Sequence, residues 1–410
     1  MRDYFQLAAG GFAGSVRLTA ETSLPTISDA MKRTIAIFIG TRPEAIKFAP
    51  IVAALRDDAE LQPLVICTGQ HREMLVPLFE LFQMTMDVEL HAMEPSQSLA
   101  GLTSRLISRI DEAILETRPD YSLVQGDTTT AMCAALASFY RAVPVGHVEA
   151  GLRTGDLRAP FPEEGNRRII SALASLNFAP TEMARQALLA EQIPPDRILV
   201  TGNTVIDALL MELDRQRRPI AKDEIDQSLR RTVGADWANW EMILVTGHRR
   251  ENFGGGFDQI CEAINRLASL RPESLIVYPV HLNPQVQEAV ARHLHPRENV
   301  RLIPPAPYPE FTALLAQCKL VLTDSGGVQE EAPVLGKPVL VMRTTTERPE
   351  GIIAGGVKLV GADADRIVKE AMHLLGDDEA YRQMAQSRSP YGDGNAASRI
   401  IQRLREELVR

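Results

Sequence analysis

The chain has 410 residues, 45% of them apolar and 24% charged, the balance of a soluble globular protein with two domains or more. Its net charge of −9 argues against a nucleic-acid binder. No apolar run reaches the roughly 18 residues that a membrane span needs.

Residues 1–30 carry Gly, Ala, Ser and Thr without clear periodicity. Residues 5–16 are mildly apolar but broken by three glycines, a poor signal-peptide core. A disordered extension over 1–31 is the expectation; a true start at Met31, or export, are the alternatives. Cys67, Cys133, Cys261 and Cys318 lie far apart with no C-x-x-C pair, the pattern of reduced core thiols in a cytosolic protein.

From Met31 the pattern changes. The run IAIFIG at 35–40 predicts a strand covered on both faces. Thr41 with Glu44 has capping-box spacing and Pro43 falls in the first turn, so a helix begins there. Similar apolar runs recur at 63–68, 121–125, 143–148, 176–179 and 198–201. Helical stretches over 99–117 and 129–140 separate some of them. This βα alternation predicts an α/β protein with a parallel, doubly wound sheet. A charged amphipathic segment follows to about residue 239. The alternation then restarts at 242–246, 275–280, 300–303, 320–323, 338–342 and 357–360. The expectation is two Rossmann-like domains, 32–202 and 203–389, facing a cleft. A helix over 395–409, within segment 390–410, is placed to pack back on the first domain. Neither half has a G-x-G-x-x-G or a G-x-x-x-x-G-K-[ST] phosphate loop, and no His/Cys/Asp spacing reads as a metal site.

Polar groups gather at the ends of the predicted strands. The stretch GHVEAGLRTGDLRAPF (146–161), then PEE, ends a β-branched run in Glu149 and brings Glu163 soon after. Carboxylates beside such open backbone suit a polar ligand better than packing. Asp127 in QGDTTT reads by itself as a helix N-cap, and together with Glu149 and Glu163 as a third acid/base group. Arg42 and Lys47 flank the first helix start, where two cations suit a phosphate or a solvated helix face. His248, in GHRREN, follows the first strand of the second half and could donate to a phosphate oxygen or be structural. Ser325, Gly326 and Gly327 open a helix after another strand, an anion site of the kind that takes a diphosphate, or an ordinary cap. Glu331, one to two turns on, could accept from ribose hydroxyls, and Arg348 is a third cation.

Together these residues resemble the non-hydrolysing UDP-N-acetylglucosamine 2-epimerases of bacteria. The similar segments in the first half are GTRPEAIKFAP (40–50), GQHREML (69–75), GDTTT (126–130), PVGHVEAGLRTGD (144–156), PEE (162–164) and TGNTVIDAL (201–209). In the second they are VTGHRREN (245–252), VYPVHLNP (277–284), LTDSGGVQEEAP (322–333), GKPVLVMR (336–343), TTERPEG (345–351) and PYGDG (390–394). The resemblance implies a glycosyltransferase-B-like fold, a homodimer in the cytoplasm, and no metal or redox cofactor. It implies reversible epimerisation at C2 of UDP-GlcNAc to UDP-ManNAc, supplying sugars for surface polysaccharide. The implied route is elimination of UDP to 2-acetamidoglucal, then re-addition.

By the same resemblance, Arg42, Lys47, His248, Ser325, Gly326, Gly327, Glu331 and Arg348 would bind UDP, and Phe311 would line the uracil pocket. Asp127, Glu149 and Glu163 would serve C2 and the sugar, with the acid and base left unassigned. Gln70, Glu163, Arg249 and His281 match a second, activating UDP-GlcNAc site. Glu73 and Ser96 depart from that pattern, and Ala306 stands where some relatives have Gln. A glycosyltransferase of the same fold, a hydrolysing relative and a UDP-sugar sensor are the competing readings.

Overall fold

Residues Ile35 to Ile39 expose no surface at all. A strand so apolar is stable only between two helical layers, and such a strand lies at the centre of each of two sheets. The computed structural model describes residues 17–18, 32–69, 72–94, 97–249 and 252–409. The first sheet runs β1 (Arg17–Leu18), β4 (Val88–Glu89), β3 (Leu61–Cys67), β2 (Arg33–Ile39), β5 (Tyr121–Gln125), β6 (Val145–Val148), β7 (Leu176–Ala179) and β8 (Ile198–Val200). The second runs β11 (Val300–Ile303), β10 (Ser274–Pro279), β9 (Glu241–Thr246), β12 (Leu320–Thr323), β13 (Val339–Val341) and β14 (Val357–Leu359). Every pairing is parallel except β1 with β4.

Strand order reverses beside β2 in the first sheet and beside β9 in the second, between β2 and β5 and between β9 and β12. At such a switch point adjacent loops part, and a crevice opens beyond the strand ends. Four chain segments therefore reach two crevices: 40–47 after β2, 126–128 after β5, 247–249 after β9 and 324–327 after β12.

Two departures from the sequence reading have simple causes. β4 is two residues long, too short for any periodicity to show. The charged segment after residue 202 is two helices, Thr204–Gln216 and Pro219–Thr232, because Pro219 can begin a helix but not continue one. Of residues 1–31, only the strand Arg17–Leu18 is described.

The chain passes between the sheets twice, near 202 and near 392. Gly202 and Gly392 have φ of 87° and 132°, and a Cβ on Gly202 would lie 3.1 Å from the Gly392 Cα. The last helix, Ala396–Leu408, lies on the helix Arg42–Arg56 and adds Ala397, Ile400, Ile401 and Leu404 to a core of the first sheet. Arg405 fastens it, donating from Nε at 2.8 Å to buried Asp58, which also accepts from the Glu60 and Leu61 N–H groups. All four cysteines are buried, and none is paired in a disulfide. Among the described residues no helix is long and apolar enough to cross a membrane.

Ile400→Ala should therefore lower the unfolding free energy by about 2–4 kcal/mol in a denaturant titration, the cost of a core cavity. Ile353→Ala, at a residue 75% exposed, should change it by less than about 0.5 kcal/mol.

Candidate active site

The crevices of the two sheets merge into one cavity of about 720 Å³. Its first-sheet wall holds Arg42, Lys47, Asp127, Glu149 and Glu163. Its second-sheet wall holds His248, Arg249, His281, Phe311, Ser325, Gly326, Gly327, Glu331 and Arg348. Gln70 and Ser96 lie outside the described residues, as does the Glu73 side chain. A second cavity of about 680 Å³ shares Arg42, Ala306 and Tyr308, but contains none of the β5, β6 and β9 strand-end groups.

Local sequence places the first wall. Glu44 is buried and accepts from the Gly40 and Thr41 N–H groups at 3.0 and 2.7 Å, fixing the turn after β2. Its other oxygen accepts from the Thr128 hydroxyl at 2.6 Å, joining the β2 and β5 loops. Thr128, not Asp127, caps the helix Thr129–Tyr140. Asp127 is thereby left free to face the cavity. It meets the Arg167 guanidinium at 2.9 Å, while Asn166 Nδ2 donates to its carbonyl at 2.8 Å. Asp127 keeps 32% side-chain exposure. Even so, burial at the cleft floor raises its pKa against the pull of Arg167, and Glu149 and Glu163 push the same way. Arg167 is shared: its Nη2 also bonds Glu164 at 2.8 Å. Glu164 is buried and accepts from the Thr154 N–H, which shapes the loop after β6. Glu163 opens the helix Glu163–Leu173, and its Oε2 is buried without a hydrogen-bond partner among the described residues.

Glu149 has φ of 65°, a conformation that costs a residue with a Cβ roughly 1–2 kcal/mol. Its carboxylate accepts from Lys47 at 2.5 Å, from Asn203 Nδ2 at 2.9 Å and from Gln125 Nε2. Asn203 gives a second bond, at 2.6 Å, to Glu330 of the other sheet, and Glu330 meets Arg348 at 2.6 Å. Two carboxylates and two cations thus form a buried, charge-balanced set around one amide. Burial alone would raise the pKa of Glu149, but Lys47 and Arg348 outweigh it and hold it below the usual range. Burial leaves Glu330 raised despite Arg348. The Arg348 guanidinium lies over Gly326, where a Cβ would come within 2.9 Å of it.

In the second wall, Asp324 is fully buried and accepts from the His248 and Arg249 N–H groups, both at 2.9 Å, and from Asn252 Nδ2. It thereby clamps the loop after β9. His248 Nδ1 lies 3.5 Å from Asp324, and its ring stacks on His281 at 5.2 Å. Burial lowers the His248 pKa against the pull of Asp324. Ser325 is the N-cap of the helix Gly326–Val334, yet its hydroxyl makes no cap bond, so a helix N-terminus without a side-chain cap lines the cavity. Glu331 is buried, and Tyr308 Oη donates to it at 3.4 Å. Burial and neighbouring Glu330 raise the Glu331 pKa to about 8.

Sequence reasoning missed Arg167, Asn203, Asp324 and Glu330. Arg167 had a signal, since it stands one helical turn from Glu163 on the same face. Glu330 and Glu331 are adjacent on a helix and point about 100° apart, so only one of them could serve the ligand. Asn203 bridges residues far apart in sequence, and nothing local announces that.

A family model described as UDP-N-acetylglucosamine 2-epimerase matches residues 53–405. The chain is 52% identical over 377 residues to UDP-N-acetylglucosamine 2-epimerase of Salmonella typhimurium, spanning 92% of this chain and 99% of the relative. Against the protein of that name from Escherichia coli K12 it is 49% identical, with the same 92% and 99% coverage. The crystal structure of UDP-GlcNAc 2-epimerase from Neisseria meningitidis bound to UDP-GlcNAc aligns with a TM-score of 0.85 at 45% identity, covering 91% of this chain and 100% of that one. The one from Methanocaldococcus jannaschii in complex with UDP-GlcNAc and UDP has a TM-score of 0.75 at 30% identity, covering 91% and 99%.

The raised Glu331 pKa has a thermodynamic sign. The folded chain keeps this proton up to about pH 8, whereas the unfolded chain releases it near the ordinary carboxyl value. Unfolding then releases a proton between these limits, so Glu331 makes stability fall as pH rises. The melting temperature of the wild type should fall relative to Glu331→Gln between pH 5 and 8. Parallel curves would show that Glu331 has no raised pKa.

Proposed function

This chain belongs to the UDP-N-acetylglucosamine 2-epimerase family, and from that premise we propose that it interconverts UDP-GlcNAc and UDP-ManNAc between its two facing Rossmann-like domains. We take these, in a glycosyltransferase-B-like arrangement, as residues 32–202, closed by the last helix, and 203–389. One observation carries the reading: a set of carboxylates, Asp127, Glu149 and Glu163, opposes a helix N-terminus and Arg348 across a single cavity.

The diphosphate fits the Ser325–Gly327 helix start, with Arg348 beside it. His248 stands next to it, and an arriving dianion would raise the pKa of this imidazole and protonate it. Glu331 suits the ribose hydroxyls, Phe311 the uracil, and Arg42 the nucleotide end of the cavity. Lys47 is bonded to Glu149, so we assign it to orienting that carboxylate rather than to the diphosphate. Arg249 and His281 would meet a second UDP-sugar beside the first.

The C2 proton of the sugar is not α to a carbonyl, so direct abstraction is difficult. Elimination avoids this. A carboxylate takes the C2 proton, the C–H electrons form the C1=C2 bond, and the C1–O bond breaks with UDP leaving. In return, UDP attacks C1 and a carboxylic acid protonates C2 from the other face. Glu163, with an oxygen that has no hydrogen-bond partner among the described residues, suits the base. Asp127, whose surroundings favour its protonated form, suits the acid. Glu149, held ionised, would stabilise positive charge developing at C1. Each turnover leaves Glu163 protonated and Asp127 ionised, and both re-equilibrate with water.

Leu115, Phe139 and Tyr140 are 54%, 56% and 66% exposed on two helices that pack together, Leu99–Thr117 and Thr129–Tyr140. This face suits a second copy of the chain. Four buried cysteines outside any disulfide suit a reducing cytosol.

Proton NMR of UDP-GlcNAc with the protein in D₂O tests the reading. UDP-ManNAc should appear with deuterium at C2. Product that keeps its C2 proton would exclude the two-carboxylate route. Asp127→Asn and Glu163→Gln should each lower kcat by roughly 10²-fold or more while UDP still binds. Tyr140→Glu should shift sedimentation from dimer towards monomer; a wild-type monomer would remove the dimer reading.

A further inference from the structure

The segment PYGDG at 390–394 stands apart from the cavity, and nothing so far gives it a task. Its Tyr391 is 1% exposed. The phenol hydroxyl accepts from the Gly351 N–H at 3.1 Å and donates to the Arg348 carbonyl at 3.2 Å. These two groups belong to the start of the short helix Pro349–Ala354, where Arg348 is the N-cap. An N-cap normally lends a side-chain oxygen to the N–H two or three residues on. Arginine has only donors, and the Arg348 guanidinium is turned away to Glu330 and the cavity. Tyr391, brought from the far end of the sequence, supplies the missing acceptor. Gly351 lets the backbone approach: a Cβ there would lie 2.9 Å from Val357 Cγ2 and 3.3 Å from the Tyr391 hydroxyl. The other end of the residue is also engaged, because the Tyr391 carbonyl accepts from the Asn203 N–H at 2.6 Å.

We propose that Tyr391 is a positioning residue for Arg348, capping from outside the helix that Arg348 begins and so fixing its guanidinium for the leaving diphosphate. This rests on the reading of Arg348 as a UDP-binding group.

The test is a double-mutant cycle on the full chain, with UDP binding followed by calorimetry. Tyr391→Phe keeps the ring and removes only the hydroxyl. It should weaken UDP binding roughly threefold to tenfold, the reach of one hydrogen bond. In an Arg348→Ala background the same change should have no further effect, because coupled residues are not additive. Additive losses, or an unchanged affinity in Tyr391→Phe, would overturn the proposal. If Arg348→Ala alone leaves UDP affinity intact, the site reading itself fails and takes the proposal with it. Should Tyr391→Phe not fold, amide exchange in the wild type decides: a protected Gly351 N–H supports the cap, and exchange at the solvent rate overturns it.

Discussion

One side-chain amide joins the two halves of this molecule. Asn203 has two N–H hydrogens; one goes to Glu149 and the other to Glu330. Two carboxylates so near in a poorly polarisable interior would repel strongly without compensation. Lys47 and Arg348 provide it, one cation to each. Losing one partner of such a buried set costs about 3–5 kcal/mol, because the remaining charge has no water to turn to. The relative placement of the two sheets and the ionisation of Glu149 therefore depend on the same few atoms.

Around this centre, the first-sheet wall divides its carboxylates by environment. Glu149 has Lys47 and the Gln125 amide beside it, shares the Asn203 amide with Glu330, and stays ionised. Burial makes the Asp127 proton harder to remove, against the pull of Arg167, which it shares with Glu164. Two acids of one chemical type thus come to differ in proton affinity, the separation that an acid and a base in one site need. The second wall presents groups that suit an anion instead. Its loop is clamped from below by Asp324, and its helix start is left open.

Much of this was legible in the sequence, and the reason is local. Apolar runs such as 35–40 and 320–323 show as strands because a two-sided burial leaves no other reading. Thr41 and Glu44 mark a helix start because capping is a contact between near neighbours. Loops after the central strands could be picked out because the topology sends them to a crevice. What escaped were contacts between distant residues. Lys47 read as a phosphate ligand or part of a solvated helix face, and nothing local announced its bond to Glu149. Asp127 was ambiguous until Thr128 proved to be the cap. Asn203 and Glu330 are ordinary residues until the fold brings them together.

The helix Ala396–Leu408 completes a core whose other members lie before residue 210, apart from Tyr308. The second sheet, by contrast, is assembled from one continuous stretch of chain. On a ribosome the second domain would have all its strands while the first still exposed Ile51, Leu55 and their neighbours to the surrounding chaperones. A premature stop near the end of the message would therefore damage the half that was made first.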